Sequence, residues 1–497
     1  MNSDITNINF YELEKRIYKL VCEFGCEILK NVLENQDKEI MKNRDKKEYR
    51  HKGYKSNTIK TVMGEVEYKR AVYLKENKYT YLLDNILDIE TYGKISSNLA
   101  EIMLKTVVNT VSYRKGATEI CNTTNETISH QALNDLVWSV GKKIEEKEKQ
   151  EIKLLKEEKL VKGKKTTQAL FEEADGIWVN LQGKDREQQI EKYKNKCEKQ
   201  NKEYKAPHFV KTELKLHVMY EGWNKNSNRH ELINKSYIAG MMSSKTLEKI
   251  RNARIYQRYN EEEIKLRAIN GDGARWIKNI ATKDTISQKD SFHIQQEIMR
   301  DIPEEKYRNE LIQIIADKRY NEVQDYIESL KYELGGEEKI VNKLKKLQNY
   351  LKDGLPRYQD VLKEQGRELP LAPDGIEYRD MGTMESQIFS VLKVRLMSGR
   401  KSFLKDGASY LAKVCAEYTE TNGELELEKI ESEIQIDNSV EEWIKEIETN
   451  VKKNKKMHRA DRKETDGYKY AQGTIIEFTP ELKEVLKLAE PTALMYR

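Results

Sequence analysis

Residues 169–181, ALFEEADGIWVNL, constrain the fold more than any other stretch. Side chains alternate along an extended chain, so Phe171, Ile177, Val179 and Leu181 share one face. Asp175 falls on that face, as does Glu173, while Glu172 points to the opposite one. An inward carboxylate costs several kcal/mol unless it is paired, protonated or bound to a cation. The strand therefore needs a partner for Asp175, either a Lys or Arg or a metal ion.

The surrounding chain reads as a mixed α/β sheet. ELKLHVMYEGW (213–223) alternates Leu214, Leu216, Val218 and Tyr220 and forms a second strand; HELINKSYIAG (230–240) forms a third. A helix is expected over 243–259, then a fourth strand in IKLRAINGDGARW. The Lys-rich stretch 186–212 reads as a loop or short helix. From about 294 the chain turns helical and highly charged, and Leu344, Leu347 and Leu351 lie on one stripe. Such a block within a sheet domain is an insertion. After it, TMESQIFSVLKVRLMSGR is an amphipathic helix with Glu385, Ile388, Leu392 and Leu396 along one side.

Ahead of the sheet, residues 8–45 have helical periodicity, and a hairpin follows over Tyr49–Leu74 with its turn at Met63-Gly64-Glu65. It carries Arg50, His51, Lys52, Lys55, Lys60, Lys69 and Arg70, interleaved with Tyr49, Tyr54, Tyr68 and Tyr73. That surface suits a phosphate backbone, or is an ordinary solvated hairpin. SYRKGATEICNTTNETISHQALNDLVWSVGKK has the outline of a helix-turn-helix, with Thr127 as the cap of its second helix. Ile128, Leu133, Leu136 and Val137 would pack inward, and Ser129, His130, Gln131 and Asn134 would face out. Residues 141–166 hold ten Lys and six Glu and read as a charged helical linker. The expected organisation is thus a helix and basic hairpin (1–90), a helix-turn-helix region with linker (91–165), a first core part (166–298), a helical insertion (299–380), a final core helix (381–420) and a polar tail (421–497).

Composition narrows the class. Charged residues make up 35% and hydrophobic residues 38%, and no apolar run of about eighteen residues exists, so no membrane span is expected. The N-terminus lacks the basic start and apolar stretch of a signal peptide. Cys22, Cys26, Cys121, Cys197 and Cys415 form no CxxC pair and are odd in number, which favours free thiols in a reducing compartment. The expected location is the cytoplasm.

Three acids stand out together. Asp175 lies on the first strand; Asp272 ends the fourth between Gly271 and Gly273; Glu385 opens the helix after the insertion. Hard divalent cations prefer carboxylate oxygens. Two Mg²⁺ ions about 4 Å apart can serve both the attacking and leaving oxygens of phosphoryl transfer.

These motifs carry a resemblance. The chain resembles the ISLre-type bacterial insertion-sequence transposases, relatives of the Mutator-like group. The likeness runs through YRHKGYKSNTIKTVMGEVEYKR, SYRKGATEI…TISHQAL, EADGIWV, INGDGARWIK, KDSFHIQQEI and GTMESQIFSVLKVRLMSGRKSF. It implies a DDE transposase with a ribonuclease H-like mixed-sheet core, an all-helical insertion and an N-terminal helical and β-hairpin DNA-binding region. The implied catalytic and metal-binding triad is Asp175, Asp272 and Glu385, with spacings of 272 − 175 = 97 and 385 − 272 = 113. Two Mg²⁺ or Mn²⁺ ions are implied as cofactors. Asp290 and His293 would be accessory. Arg395, Arg400 and Lys401 would lie near a scissile phosphate, joining Arg50, Lys52, Lys69, Arg70, Ser129, His130, Gln131 and Asn134 as DNA contacts. The family pattern expects a Trp after the third acid; this chain has Ser402-Phe403, and Phe403 can still stack on a flipped base. Expected partners are double-stranded DNA, as element ends and target, and a second copy of the chain in a homodimer or higher assembly. The Lys, Asn, Ile and Tyr bias fits an AT-rich bacterial genome, and the resemblance implies a nucleoid-associated protein of the bacterial cytoplasm. A metal-dependent nuclease or resolvase on the same core, and a non-catalytic DNA-binding protein, are the competing readings.

Overall fold

In the computed structural model, which describes residues 9–87, 94–227, 231–334, 337–399 and 401–423, the alternating stretches become strands and the stretches of helical period become helices. The tail expected to be polar lies, from 424 on, outside the described residues. The described chain falls into two units: residues up to Ala100 with Cys121–Thr127, and Glu101–Ile120 with Ile128 onward.

The first unit opens with α1 (Phe10–Asn43), capped by the Asn9 side chain on Glu12 N–H. The hairpin follows as β1 (Arg50–Thr61) and β2 (Gly64–Lys75), paired Thr61 to Gly64 at the turn and Arg50 to Leu74 at the open end, with β3 (Lys78–Thr80) beside β2. The turn residues are therefore Val62 and Met63, with Gly64 at φ +133° already in the ladder. Then come α2 (Leu82–Leu87) and the start of α3 (Ser97–Asn109). The small core packs Leu33 of α1 against Val66, Tyr68 and Leu83.

The second unit adds α4 (Tyr113–Thr123) and α5 (His130–Lys156). The stretch read as a charged linker is largely the second half of α5. Its Glu148 is buried between Arg254 and Lys413 and ties the helix to later elements, while most of its lysines stay exposed. Next come β4 (Ala169–Leu181), α6 (Gly183–Lys199), β5 (Lys211–Tyr220), β6 (Gly222–Asn224), β7 (Leu232–Ile233), β8 (Ser236–Gly240), α7 (Ser244–Arg258), β9 (Leu266–Gly271), α8 (Arg275–Ile280) and β10 (Thr285–Lys289). The Lys-rich stretch thus forms a 17-residue helix, and the expected third strand is split between β7 and β8.

The main sheet has the order β10-β9-β4-β5-β8. β4 runs parallel to β9, and β9 to β10, while β5 is antiparallel to both β4 and β8. As the central strand, β4 is covered on both faces. On the even face, Ala174, Ile238, Leu247, Ile250, Ile269 and Ile277 form one core. On the odd face, Phe171 packs against the rings of Tyr220, Trp223, Tyr358 and Tyr378.

The insertion consists of α9 (Ser291–Asp301), α10 (Glu305–Ala316), α11 (Glu322–Glu333), α12 (Glu338–Tyr350) and α13 (Tyr358–Glu364), with its own core of Ile, Leu, Val and Tyr side chains. Lys289, at the end of β10, is buried and donates to Tyr350 O and Asp353 O, tying the insertion to the sheet. The chain returns through β11 (Ile376–Glu377), which pairs with β6, and then α14 (Met384–Ile388). A π-helical turn (Phe389–Lys393), α15 (Val394–Leu396), β12 (Ser402–Phe403) and α16 (Lys405–Glu420) complete it. Ile388, Leu392 and Leu396 are buried, as their spacing predicts.

Candidate active site

The parallel register brings Asp175 and Asp272 together. Ala174 lies opposite Gly271, so each aspartate is the next residue along its own strand, at the carboxyl end of β9. Asp175 is buried, and its Oδ1 accepts the Gly176 N–H at 2.6 Å. Asp272 Oδ1 accepts the Ala274 N–H at 2.7 Å, and Gly273 adopts φ +84°, which lets the chain leave the sheet sharply. Burial pushes the Asp272 carboxyl above its ordinary range; the Ala274 N–H opposes this, and the Asp175 charge adds to it.

α9 begins immediately after β10 and supplies the group that faces Asp175. Its N-cap is Asp290, whose Oδ1 accepts Phe292 N–H at 2.8 Å and whose Oδ2 accepts from Asn270 Nδ2 at 2.8 Å. One turn in, His293 Nε2 stands 3.7 Å from Asp175 Oδ2, an ion-pair distance rather than a formed hydrogen bond. Contact with Asp175 raises the imidazole above its usual value against the opposing effect of burial, with Asp290 and Asp272 adding to the rise. Asp290 and His293, expected as accessory groups, thus stand at the aspartate pair.

Glu385 is on α14, which packs over β4, but its Oε1 pairs with Lys393 Nζ at 2.6 Å. In an unbroken α-helix, eight residues overshoot two turns by roughly 80°. The π turn at Phe389–Lys393 takes up that overshoot and puts Lys393 on the Glu385 side. Among the described residues, no group of three or more His, Cys, Asp or Glu side chains is arranged to hold a metal ion. The site as it stands offers a pair of aspartates, with the third acid of the expected triad engaged elsewhere.

The two glutamates before Asp175 differ sharply. Glu172, on the even face, is fully buried between Arg251, Arg267 and His217. Burial pushes its carboxyl up, but the Arg251 and Arg267 charges and the His217 hydrogen bond outweigh this and hold it well below the usual range. Burial holds His217 below its usual value, so this contact is a hydrogen bond from a neutral ring. Glu173, on the odd face, accepts from Tyr220, Asn270 and the start of α14. The alternation of β4 shows which face each occupies; the partners lie 45 to 211 residues away in sequence and leave no local signal.

The expected DNA contacts are placed unevenly. In the first unit Arg50, Lys52 and Lys69 are exposed on the hairpin. Arg70 is not: it is buried, ion-paired to Asp84 and stacked over the Tyr81 ring. Tyr68 and Tyr73 are also buried, because β2 turns its residues 66, 68 and 70 inward and Tyr73 follows beyond Ala71, leaving Tyr54 exposed. In the second unit Ile128, Leu133, Leu136 and Val137 are buried and His130 and Gln131 exposed, as expected. Asn134 is half-buried. Ser129, rather than Thr127, caps α5 through Ala132 N–H, so its hydroxyl is engaged. Arg395 is not a surface group: it is buried and donates to Val107 O and Val111 O, where α3 ends. Lys401 donates to Arg395 O and Ser398, and burial together with the Arg395 charge pushes it down to about 8. Phe403 pairs with Leu181 as part of the sheet. Arg400 lies outside the described residues. No described helix is long and apolar enough to cross a membrane.

Sheet and site together define an α/β protein with two carboxylates meeting on adjacent parallel strands, one midway along β4 and one where β9 ends. The chain belongs to the uncharacterised protein family UPF0236, which matches residues 5–206 and 208–433. A UPF0236 protein of Caldanaerobacter subterraneus subsp. tengcongensis, whose name joins eleven designations, is 27% identical over 356 residues, covering 69% of this chain and 66% of its own. A second from that organism is 28% identical over 358 residues, covering 69% and 67%. A UPF0236 protein of Streptococcus gallolyticus, named for a vanSb 3′ region, is 22% identical over 289 residues, covering 58% and 56%. The match to the first relative thus spans just under two thirds of that protein's length. Among solved structures, the Drosophila P element transposase strand transfer complex aligns over 65% of this chain and 78% of its own at 10% identity; its TM-score of 0.19 is too low to carry an argument.

Proposed function

We propose that this chain is a DDE transposase of a bacterial insertion sequence, which binds the ends of its element and cuts and joins DNA strands. The observation that carries the reading is the meeting of Asp175, Asp272 and His293 where β9 ends beside β4. A strand order in which the first three run antiparallel and the last two lie parallel beside the first supports the ribonuclease H-like core that the resemblance implies. Relatives whose names join eleven, or four, designations within one organism fit a gene carried in many copies, as mobile elements are.

In this reading the aspartate pair and His293 face the reacting phosphodiester, and α9 and α14 hold the site on rigid elements. Arg50, Lys52 and Lys69 contact the phosphate backbone, with His130 and Gln131 at the start of α5. Two Mg²⁺ or Mn²⁺ ions belong to the same proposal. The carboxylates as they stand do not fit them, because Glu385 would first have to leave Lys393. A homodimer on double-stranded DNA completes it, since two element ends must be held at once.

The test is strand cleavage on a plasmid carrying the DNA that flanks the gene, with divalent metal, with chelator and with Asp272→Asn. Metal-dependent nicking at the element boundary that Asp272→Asn abolishes, with DNA binding retained, is the expected result. Binding without cleavage under any divalent metal would overturn the catalytic reading. Cleavage without strand joining would favour a nuclease.

A further inference from the structure

Glu173 is a fully buried carboxylate whose partners among the described residues are neutral donors rather than a Lys or Arg. Its Oε1 accepts from Tyr220 OH at 2.6 Å, Thr383 Oγ1 at 2.8 Å, Thr383 N at 3.1 Å and, more weakly, Gly382 N at 3.4 Å. Its Oε2 accepts from Asn270 Nδ2 and Met384 N, both at 3.1 Å. The partners therefore come from β5, β9 and the first turn of α14, all converging on β4. The first N–H groups of a helix have no partner within it, and a carboxylate there satisfies them while matching the helix dipole. Hydrogen bonds to an ionised acceptor are also about twice as strong as neutral ones.

The same network reaches the other side of the site. Asn270 Nδ2 bonds Asp290 as well as Glu173, and Gln288 Nε2 supports Asn270 Oδ1 at 3.3 Å. Asp290 in turn caps the helix that carries His293. One carboxylate and one amide thus join the helix bearing Glu385, the strands bearing Asp175 and Asp272, and the cap of the His293 helix.

We propose that Glu173 is a positioning residue that sets the start of α14, the helix that carries Glu385, on the strands that carry the two aspartates. This rests on the transposase reading for its catalytic meaning, but the positional part stands on the hydrogen bonds alone. Glu173→Gln is nearly isosteric and exchanges one acceptor oxygen for an NH₂ donor. The Tyr220 and Thr383 hydroxyls can turn to accept from it, but the Thr383 N–H on one oxygen and the Met384 N–H on the other cannot, so one backbone N–H at the start of α14 loses its acceptor.

The experiment compares full-length wild type, Glu173→Gln and Thr383→Val by amide exchange and by cleavage of the plasmid above. In Glu173→Gln, exchange in 383–388 should rise at least about tenfold, while peptides from β5 keep their protection. Cleavage should show kcat down about 10²-fold with KM and DNA affinity within about twofold, the signature of a displaced reacting group. Thr383→Val removes one donor from the helix side and should raise exchange in 384–388 about fivefold; it serves as the test if Glu173→Gln fails to fold. Unchanged exchange in 383–388, or loss of protection spread equally through β5, would overturn the proposal and make Glu173 an ordinary core residue. So would wild-type kcat in Glu173→Gln. If the wild-type chain does not cleave, the transposase reading falls, and the exchange measurement still decides whether Glu173 sets α14.

Discussion

Glu172→Gln should be among the most destabilising near-isosteric changes in the sheet. Glu172, Arg251 and His217 are all at 0% exposure, and the carboxylate lies 2.6 Å from Arg267, 2.9 Å from His217 and 3.3 Å from Arg251. Removing its charge leaves the Arg251 guanidinium buried without an anion; Ile280 O and Asn252 remain as neutral acceptors. Breaking a buried ion pair from one side costs about 3–5 kcal/mol. Gln keeps the shape and one acceptor, and Arg267 is partly solvated, so the lower end, about 3 kcal/mol, is expected. With a urea slope of about 3 kcal/mol/M, the midpoint falls by about 1 M. The buried Trp223, close to β4, reports the transition by fluorescence. A midpoint shift below about 0.3 M would refute the reasoning, because the guanidinium would then have found another partner or water. The sign with pH is fixed as well. A carboxyl held below its usual value stabilises above the ordinary carboxylate range and loses that contribution as the pH falls through its lowered value. His217, held down by burial, likewise contributes in full above about 6.5 and less as the pH falls. The gap between wild type and Glu172→Gln should therefore narrow only in strong acid.

Three further outcomes are expected. In the metal-free protein, His293 should titrate above the usual imidazole value by NMR, contributing stability below about 6.5 that is lost as the pH rises through its raised value; Asp175→Asn should bring it back down. Gly141→Ala should destabilise the packing of α5 on α16 by about 1–3 kcal/mol or more in a thermal melt, since a Cβ there would lie 2.7 Å from the Tyr410 Cα; an unchanged melt would mean the helices separate freely. Lys69→Ala should weaken DNA binding in a salt titration with stability within about 0.5 kcal/mol of wild type, whereas Arg70→Ala should cost about 3 kcal/mol by stranding Asp84. The reverse pattern would restore Arg70 as a DNA contact.

What the chain's own order determined was local. Alternation placed β4, β5 and β9, helical spacing placed α5, α7 and the Leu344–Leu351 stripe, and glycines at 271 and 273 marked where β9 ends, just before Asp272. These signals have periods of two or 3.6 residues and survive in any context. The adjacency of Asp175, midway along β4, and Asp272, just past the end of β9, needed only that the two strands be neighbours in the sheet. Tertiary structure decided whatever depends on what covers a face. The alternation in β2 shows that residues 66, 68 and 70 share a side, but only the packing of α1 and of Tyr81, Leu83 and Asp84 against that side makes Arg70 an interior cation rather than a phosphate contact. Arg395 was likewise drawn from the surface by the unsatisfied carbonyls ending α3, nearly 290 residues earlier in the chain. Glu172 and Glu173, adjacent and identical in type, became an ion-pair centre and a helix anchor because β4 is the middle strand, with guanidiniums over one face and the first turn of α14 over the other. A sequence shows which side a side chain takes; what meets it there is set by chain that returns from far away.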